Sequence, residues 1–205
     1  MCIRDSIEGL YGWPGKYKPF SHQRTTSSFL TLNRRSFCFN EQGTGKTASA
    51  IWASDFLMEQ KRIKRVLIKC PLSIMDSAWR ADLFDFAPHR SVDIAYGAAK
   101  KRKEIINNGA EYVIINYDGI EIVFNEIANG GFDLIIADEA THYKNAQTKR
   151  WKALNKLVTP STWLWMMTGT PAAQSPLDAF GLAKLVNPNS VPRFFGSFRD
   201  QVMYK

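Results

Sequence analysis

Asn40-Glu41-Gln42-Gly43-Thr44-Gly45-Lys46-Thr47 lies between a short apolar run at 36–39 and a stretch at 47–60 whose apolar residues recur at helical spacing. Gly43 and Gly45 let the backbone turn so that successive N–H groups face one point. A helix beginning immediately afterwards adds the positive end of its dipole. A phosphate group suits such a cradle. Lys46 then reaches the β- and γ-phosphates of a nucleotide, and the Thr47 hydroxyl is a ligand for Mg²⁺. The strict pattern wants a glycine where this chain has Asn40. The plainer alternative is a glycine-rich turn that caps a helix, and the strand–loop–helix context weighs against it.

Outward from this loop the chain alternates short apolar runs with longer helical stretches. The runs fall at 36–39, 65–70, 92–96, 112–116, 132–137 and 162–168. They are rich in Val, Ile, Phe and Trp, and several lack polar alternation, as strands covered on both faces do. The helical candidates are 47–60, 73–86, 100–107, 120–128, 148–157 and 177–185. In the first, Ala50, Ile51, Leu57 and Met58 share a face; in the second, Trp79, Leu83 and Phe86 recur at helical spacing after Pro71. This order predicts an α/β fold with a mostly parallel central sheet flanked by helices on both faces. Residues 1–18 differ, because Gly9, Gly12, Pro14 and Gly15 argue for an irregular N-terminal segment. Residues 1–6 fit no pattern and are expected to be foreign sequence from an assembly join.

Bulk properties narrow the field. The 205 residues suit one α/β domain, and the net charge of +8 favours a polyanionic partner, most commonly nucleic acid. Cys2, Cys38 and Cys70 are far apart and form no Cys-x-x-Cys pair, so neither a disulfide framework nor a zinc site follows, and a reducing interior is expected. No apolar run approaches the roughly 18 residues that span a bilayer, and no apolar segment follows Arg4 as in a signal peptide, so no membrane partner is expected. His22, His89 and His142 are too scattered for a metal site. The basic clusters at 61–65 and 100–103 read as solvated helix ends before they read as phosphate contacts. Trp151, Trp163 and Trp165 read as core before they read as base-stacking platforms.

Two further motifs carry chemistry. The run at 132–137 ends in Asp138 and Glu139, and the C-terminal ends of strands are where α/β sheets bind ligands. Asp138 suits Mg²⁺, directly or through water, and Glu139 suits the orientation of an attacking water. The alternative is an acidic strand end exposed to solvent. The run at 162–168 leads into Gly169, Thr170 and Pro171, where Thr168 and Thr170 can hydrogen-bond near the carboxylates and report the nucleotide state; a plain turn is the alternative.

In order, these segments resemble the first motor domain of superfamily-two helicases, and specifically the Swi/Snf-type DNA translocases. The resemblance spans 19–200. Pro19-Phe20-Ser21-His22-Gln23 is similar to the adenine-recognition segment, with Gln23 as the base reader. Residues 40–47 resemble its Walker A loop, although the family usually has an acidic residue at Asn40. Cys70-Pro71-Leu72-Ser73, continuing to Trp79, and Ile114-Ile115-Asn116-Tyr117 resemble segments that lie along a nucleic-acid strand. That places contacts at Pro71, Ser73, Asn116 and Tyr117. Asp138-Glu139-Ala140-Thr141-His142 resembles the Asp-Glu-Ala-His box, with Thr141 at the histidine position. Gln174 and Ser175 stand where the family tends to have an Asn-rich turn. Thr168-Gly169-Thr170-Pro171 resembles the coupling motif.

The resemblance implies a RecA-like P-loop NTPase fold. It implies ATP and Mg²⁺ as cofactors, held by Gln23, Gly43, Thr44, Gly45, Lys46, Thr47 and Asp138, with Lys46, Asp138 and Glu139 catalytic. It also implies nucleic acid as partner, with duplex DNA favoured over RNA. Family members carry a second motor domain whose arginine fingers contribute on the order of a thousandfold or more to turnover. Nothing after Val202 encodes one, so residues 19–205 are expected to be the first lobe of a longer motor that binds nucleotide weakly and hydrolyses it poorly alone. The rival readings are a non-catalytic nucleic-acid-binding module of the same fold and an unrelated P-loop kinase or transferase.

Overall fold

All six apolar runs form strands in a computed structural model that describes residues 7–170 and 175–203. Chain order begins with a helical turn α1 (Ile7–Leu10), helix α2 (Ser21–Leu32), strand β1 (Arg35–Cys38), α3 (Lys46–Glu59) and β2 (Val66–Cys70). A 3-10 turn (Leu72–Ile74) and a π-helical turn (Met75–Arg80) lead into α4 (Ala81–Phe86) and β3 (Val92–Ile94). Then come α5 (Ala99–Asn107), β4 (Tyr112–Asn116), α6 (Gly119–Ile122), α7 (Phe124–Asn129) and β5 (Leu134–Ala137). A 3-10 turn (Ala140–Tyr143), α8 (Lys149–Leu157), β6 (Trp163–Met167), α9 (Ala179–Val186) and α10 (Phe195–Val202) complete the chain.

The strands form one parallel sheet in the order β1-β6-β5-β2-β4-β3. Every residue of β2, β5 and β6 is buried, whereas β1 alternates and β3 is half-buried throughout, as expected of edge strands. Successive strand residues feed two cores. Ile68, Ile114, Ile136 and Trp165 pack with Ile51, Leu57, Trp79 and Leu83 on one face. Leu67, Val113, Ile135 and Leu164 pack with Ile106, Ile127, Leu154 and Leu182 on the other.

Three helical expectations change, and two helices were not expected. Helix α3 is buried on every side from Ala48 to Met58 and not amphipathic, because α2 covers its outer face. Helix α2 itself was not legible. Its sequence SHQRTTSSFLTL has no apolar stripe, yet Ser27, Ser28 and Thr31 are buried, with the Ser27 hydroxyl donating to the Ser49 carbonyl at 2.9 Å and Thr31 to the Ser28 carbonyl at 2.9 Å. Small hydroxylated side chains that satisfy themselves on backbone let two helices approach closely. The stretch 120–128 divides at the buried, non-helical Val123, and 73–86 is a composite of 3-10, π and α turns. Helix α10 had no counterpart in the sequence expectations.

The described residues before α2 are irregular apart from α1, but they belong to the core. Tyr11 and Trp13 pack against Trp52 and Phe56 of α3. The Tyr11 hydroxyl donates to the fully buried Asp55 at 2.5 Å, and Asp55 also pairs with Arg90 at 2.5 Å. A buried carboxylate persists only when it is paired in this way.

Asp82 on α4 is less well served. Burial, and secondarily the neighbouring Asp85, push its carboxyl up to about 6. A folded-state pKa above the unfolded value of roughly 3.9 means the stabilising form is the protonated one, fully present below that value and lost as pH rises through 6. Asp82→Asn is therefore expected to raise stability at pH 7.5 by about 1 kcal/mol, a figure reduced for partial exposure, and to change nothing below pH 4. Thermal melts at the two pH values check this; an equal gain at both would exclude the charge explanation.

Candidate functional site

The strand order decides how the chemistry is arranged. Along the carboxyl edge of the sheet, the exits run from the 40–47 loop after β1, to Thr168–Thr170 after β6, to Asp138 and Glu139 after β5. They continue to Pro71 and Ser73 after β2, and to Asn116 and Tyr117 at the end of β4. In sequence the threonine segment comes last among these, yet in space it sits between the phosphate-type loop and the acidic pair.

The loop has the backbone that the sequence requires. Gly43 and Gly45 have φ of +78° and +75°, and a Cβ on Gly45 would run into the Gln23 amide. These are left-handed conformations that cost little only for glycine. Gly45 precedes the first turn of α3, so the helix N–H groups open onto the loop. Lys46 Nζ donates to the carbonyls of Asn40 and Glu41, each at 2.9 Å. The Asn40 side chain ties the loop to α2 through the Thr26 hydroxyl at 2.8 Å. Gln23 holds the loop from above: its Oε1 accepts from the Phe20 N–H at 3.0 Å and its Nε2 donates to the Thr44 carbonyl at 3.2 Å. His22, which the sequence left unassigned, also meets the Thr44 carbonyl at 3.0 Å and stacks on Phe20, itself 69% exposed.

The acidic pair is held tightly. Asp138 is 8% exposed; its Oδ2 accepts from Trp79 Nε1 at 2.9 Å and its Oδ1 from the Glu139 N–H at 3.0 Å. Burial raises its pKa, opposed by those two hydrogen bonds and by the Lys46 ammonium. Each carboxylate oxygen keeps acceptor capacity beyond these bonds. Glu139 has φ +49° and ψ +56°, a left-handed conformation for a residue with a side chain. Such backbone costs of order 1–3 kcal/mol and persists where the surroundings impose it. Behind the pair, Tyr117 donates its hydroxyl to the Asp138 carbonyl and lies 3.5 Å from that of Glu139.

The remaining expected residues divide. Thr168 is buried, its N–H donating to the Cys38 carbonyl at 3.1 Å, and its hydroxyl accepts from the Thr170 N–H at 3.1 Å. The next residue, Gly169, packs against Gln42 and Asn40 of the loop. Pro171 and Gln174 lie outside the described residues. Ser73 is exposed and Pro71 half-buried. Asn116 is oriented by Arg102, whose Nη1 donates to its Oδ1 at 2.8 Å. Tyr117 is 7% exposed and Trp79 fully buried, so both rings lie beneath the surface instead of along a strand. Sequence spacing could not separate those roles, because which way each ring turns depends on packing between elements distant in sequence. The exposed His142 lies beside the Tyr117 ring at 4.4 Å and meets Arg150 at 3.2 Å, and burial lowers its pKa.

Oxygen donors at Thr47 and Asp138 are the hard ligands that Mg²⁺ takes, and the glycine cradle at the α3 N-terminus is of the kind that holds phosphate. The residues present fit both groups.

Residues 24–204 match the family described as SNF2-related domain. The chain belongs to that family. SNF2-related relatives include the SWI/SNF-related matrix-associated actin-dependent regulator of chromatin subfamily A-like protein 1 of Drosophila melanogaster, 23% identical over 82% of this chain and 22% of its own length. The ATP-dependent helicase FUN30 of Saccharomyces cerevisiae is 24% identical over 82% of this chain and 16% of its own. The Sulfolobus solfataricus SWI2/SNF2 ATPase core in complex with dsDNA superposes with a TM-score of 0.79 at 22% identity, covering 93% of this chain and 40% of that one. The SNF2-related chain thus has the RecA-like fold of that core and spans a small share of the relatives it matches. Among its described residues Cys38 and Cys70 are free and buried, and no helix is long and apolar enough to cross a membrane.

Proposed function

We propose that this chain is the ATP-binding lobe of a motor that couples Mg²⁺-ATP hydrolysis to movement along duplex DNA, completed by a second lobe. The observation that carries this is the order of loops along the sheet edge, which puts nucleotide-type groups at one end, nucleic-acid-type segments at the other and the acidic pair between them. Relatives bearing the name ATP-dependent helicase, and a structural neighbour described in complex with dsDNA, support it.

Lys46 exchanges its two loop carbonyls for phosphate oxygens, with the N–H groups of 43–47 beside it, and Gln23 meets the base. Thr47 and Asp138 would hold Mg²⁺, which supplies neutralisation of charge shared by the phosphate oxygens. Glu139 orients water and accepts its proton on a carboxylate oxygen. Thr168 and Thr170, packed between loop and acids, carry the state of one to the other. Pro71, Ser73 and Asn116 face the nucleic-acid backbone.

The test is ATPase activity with and without duplex DNA, on this chain and on the gene extended past Lys205. Duplex-stimulated turnover in the extended protein is expected. Glu139→Gln, which keeps the shape and removes the base, is expected to retain Mg²⁺-ATP binding within a few-fold and to lower turnover by about a hundredfold or more. DNA binding with no turnover in either length would instead establish a binding module.

A further inference from the structure

We infer that Trp79 and Tyr117 are positioning residues that pass nucleic-acid engagement to the acidic pair through two hydrogen bonds inside this one lobe. The inference rests on the proposed contact of Pro71, Ser73 and Asn116 with nucleic acid. It adds a route distinct from Thr168 and Thr170, which lie on the nucleotide side of the pair.

Each of the two segments leads directly to a buried donor. Ser73 stands on the surface, and six residues later the indole of Trp79, fully buried, donates to the Asp138 carboxylate at 2.9 Å. The link between them is the π-helical turn Met75–Arg80, a wider turn than that of an α-helix. Such turns can shift register towards α geometry, and they recur at functional sites. A shift there turns Trp79 relative to Asp138. On the neighbouring exit, Asn116 is half-buried and aimed by Arg102, and the very next residue, Tyr117, donates to the Asp138 carbonyl and approaches that of Glu139. That backbone is the left-handed one at Glu139, φ +49°, which needs external support.

The two bonds are complementary. One grips the side chain of Asp138, the other the main chain of the pair, and both donors follow strands, β2 and β4, that β6 and β5 separate from the phosphate-type loop. The Trp79 bond ends on a carboxylate and is strengthened by a dry site, so its displacement moves the Asp138 side chain, while displacement of Tyr117 moves the main chain that carries both carboxylates. By linkage, nucleotide binding must alter duplex affinity by the same factor as duplex alters nucleotide affinity.

The experiment uses this chain, a fluorescent ATP analogue with Mg²⁺, and a short DNA duplex. Nucleotide affinity is measured without duplex and at saturating duplex, and the ratio is the coupling factor. The wild-type factor is expected to be roughly fivefold or more. Tyr117→Phe keeps its ring and removes only the donor, whereas Trp79→Phe removes the donor and also leaves part of the buried indole volume empty; each is expected to bring the factor close to one. A ring needed solely for packing would lower the melting temperature and leave the factor intact. Should Trp79→Phe melt too early to assay, Tyr117→Phe, which deletes a single oxygen, carries the test. A chain that binds neither ligand overturns the functional reading and this inference with it. A chain that binds both, with a factor that is one from the start or survives both substitutions, overturns the inference alone.

Discussion

Lys46→Ala is expected to weaken Mg²⁺-ATP binding to this chain by about tenfold to a hundredfold and to remove ATPase activity from the extended protein. The ammonium donates to two loop carbonyls at 2.9 Å, and phosphate oxygens are better acceptors because they are charged. A hydrogen bond to a charged group is worth about 1.5–3 kcal/mol net, which sets that range of affinity. Folding should change little, since the side chain is half-exposed and the carbonyls it leaves can turn to water. Titration of nucleotide followed by a thermal melt separates the two effects. Unchanged affinity with an unchanged melt would remove the phosphate role from this loop.

Gly181→Ala is expected to be the most destabilising of the single-methyl changes discussed, although it sits in a helix. In an exposed helix interior alanine is preferred over glycine by about 1 kcal/mol. Gly181, however, packs directly on the main chain of the turn that follows the acidic pair: an added Cβ would stand 2.5 Å from the Tyr143 carbonyl oxygen and 2.6 Å from the Lys144 carbonyl carbon. Backbone cannot rotate aside as a side chain can. The Gly181 carbonyl is also fixed, accepting from Trp151 Nε1 at 2.8 Å. Overpacking of this kind costs up to about 3 kcal/mol, so it outweighs the propensity gain and leaves a net loss near 2 kcal/mol. For a chain of this size that is a fall of about 4–8 °C in Tm. Gly196→Ala on α10, whose Cβ would meet nothing, is the control and should be neutral or slightly stabilising. A Gly181→Ala protein that melts no lower than wild type would mean that α9 can slide on the acidic turn.

These two residues differ in how far they were legible. Lys46 is announced by its neighbours in sequence, since Gly43, Gly45 and Thr47 form one local device. Gly181 is announced by nothing local; it looks like a poor helix residue until α9 is docked on residues nearly forty positions earlier. The same division runs through the site. Asp138 and Glu139 stand out as charges ending an apolar strand, and Thr168 and Thr170 as polar residues doing the same. Trp79 and Tyr117 sit in segments that resemble strand contacts, and only the packing shows that both rings turn inward to the acidic pair. Helix α2 was missed because its burial depends on serines and threonines that carry no apolar period.

By itself the sequence determined the alternation of strands and helices, the parallel sheet that alternation demands, and the glycine loop with its lysine. Those are local properties: apolar runs too continuous for one wet face, helical spacing, and φ values only glycine adopts cheaply. The tertiary structure alone decided the order β1-β6-β5-β2-β4-β3. Parallel strands joined by crossovers can be laid beside one another in many orders with the same local preferences. The choice among them comes from which helices bury which faces, and it is that choice which sets the threonine segment between loop and acids and turns Trp79 onto Asp138.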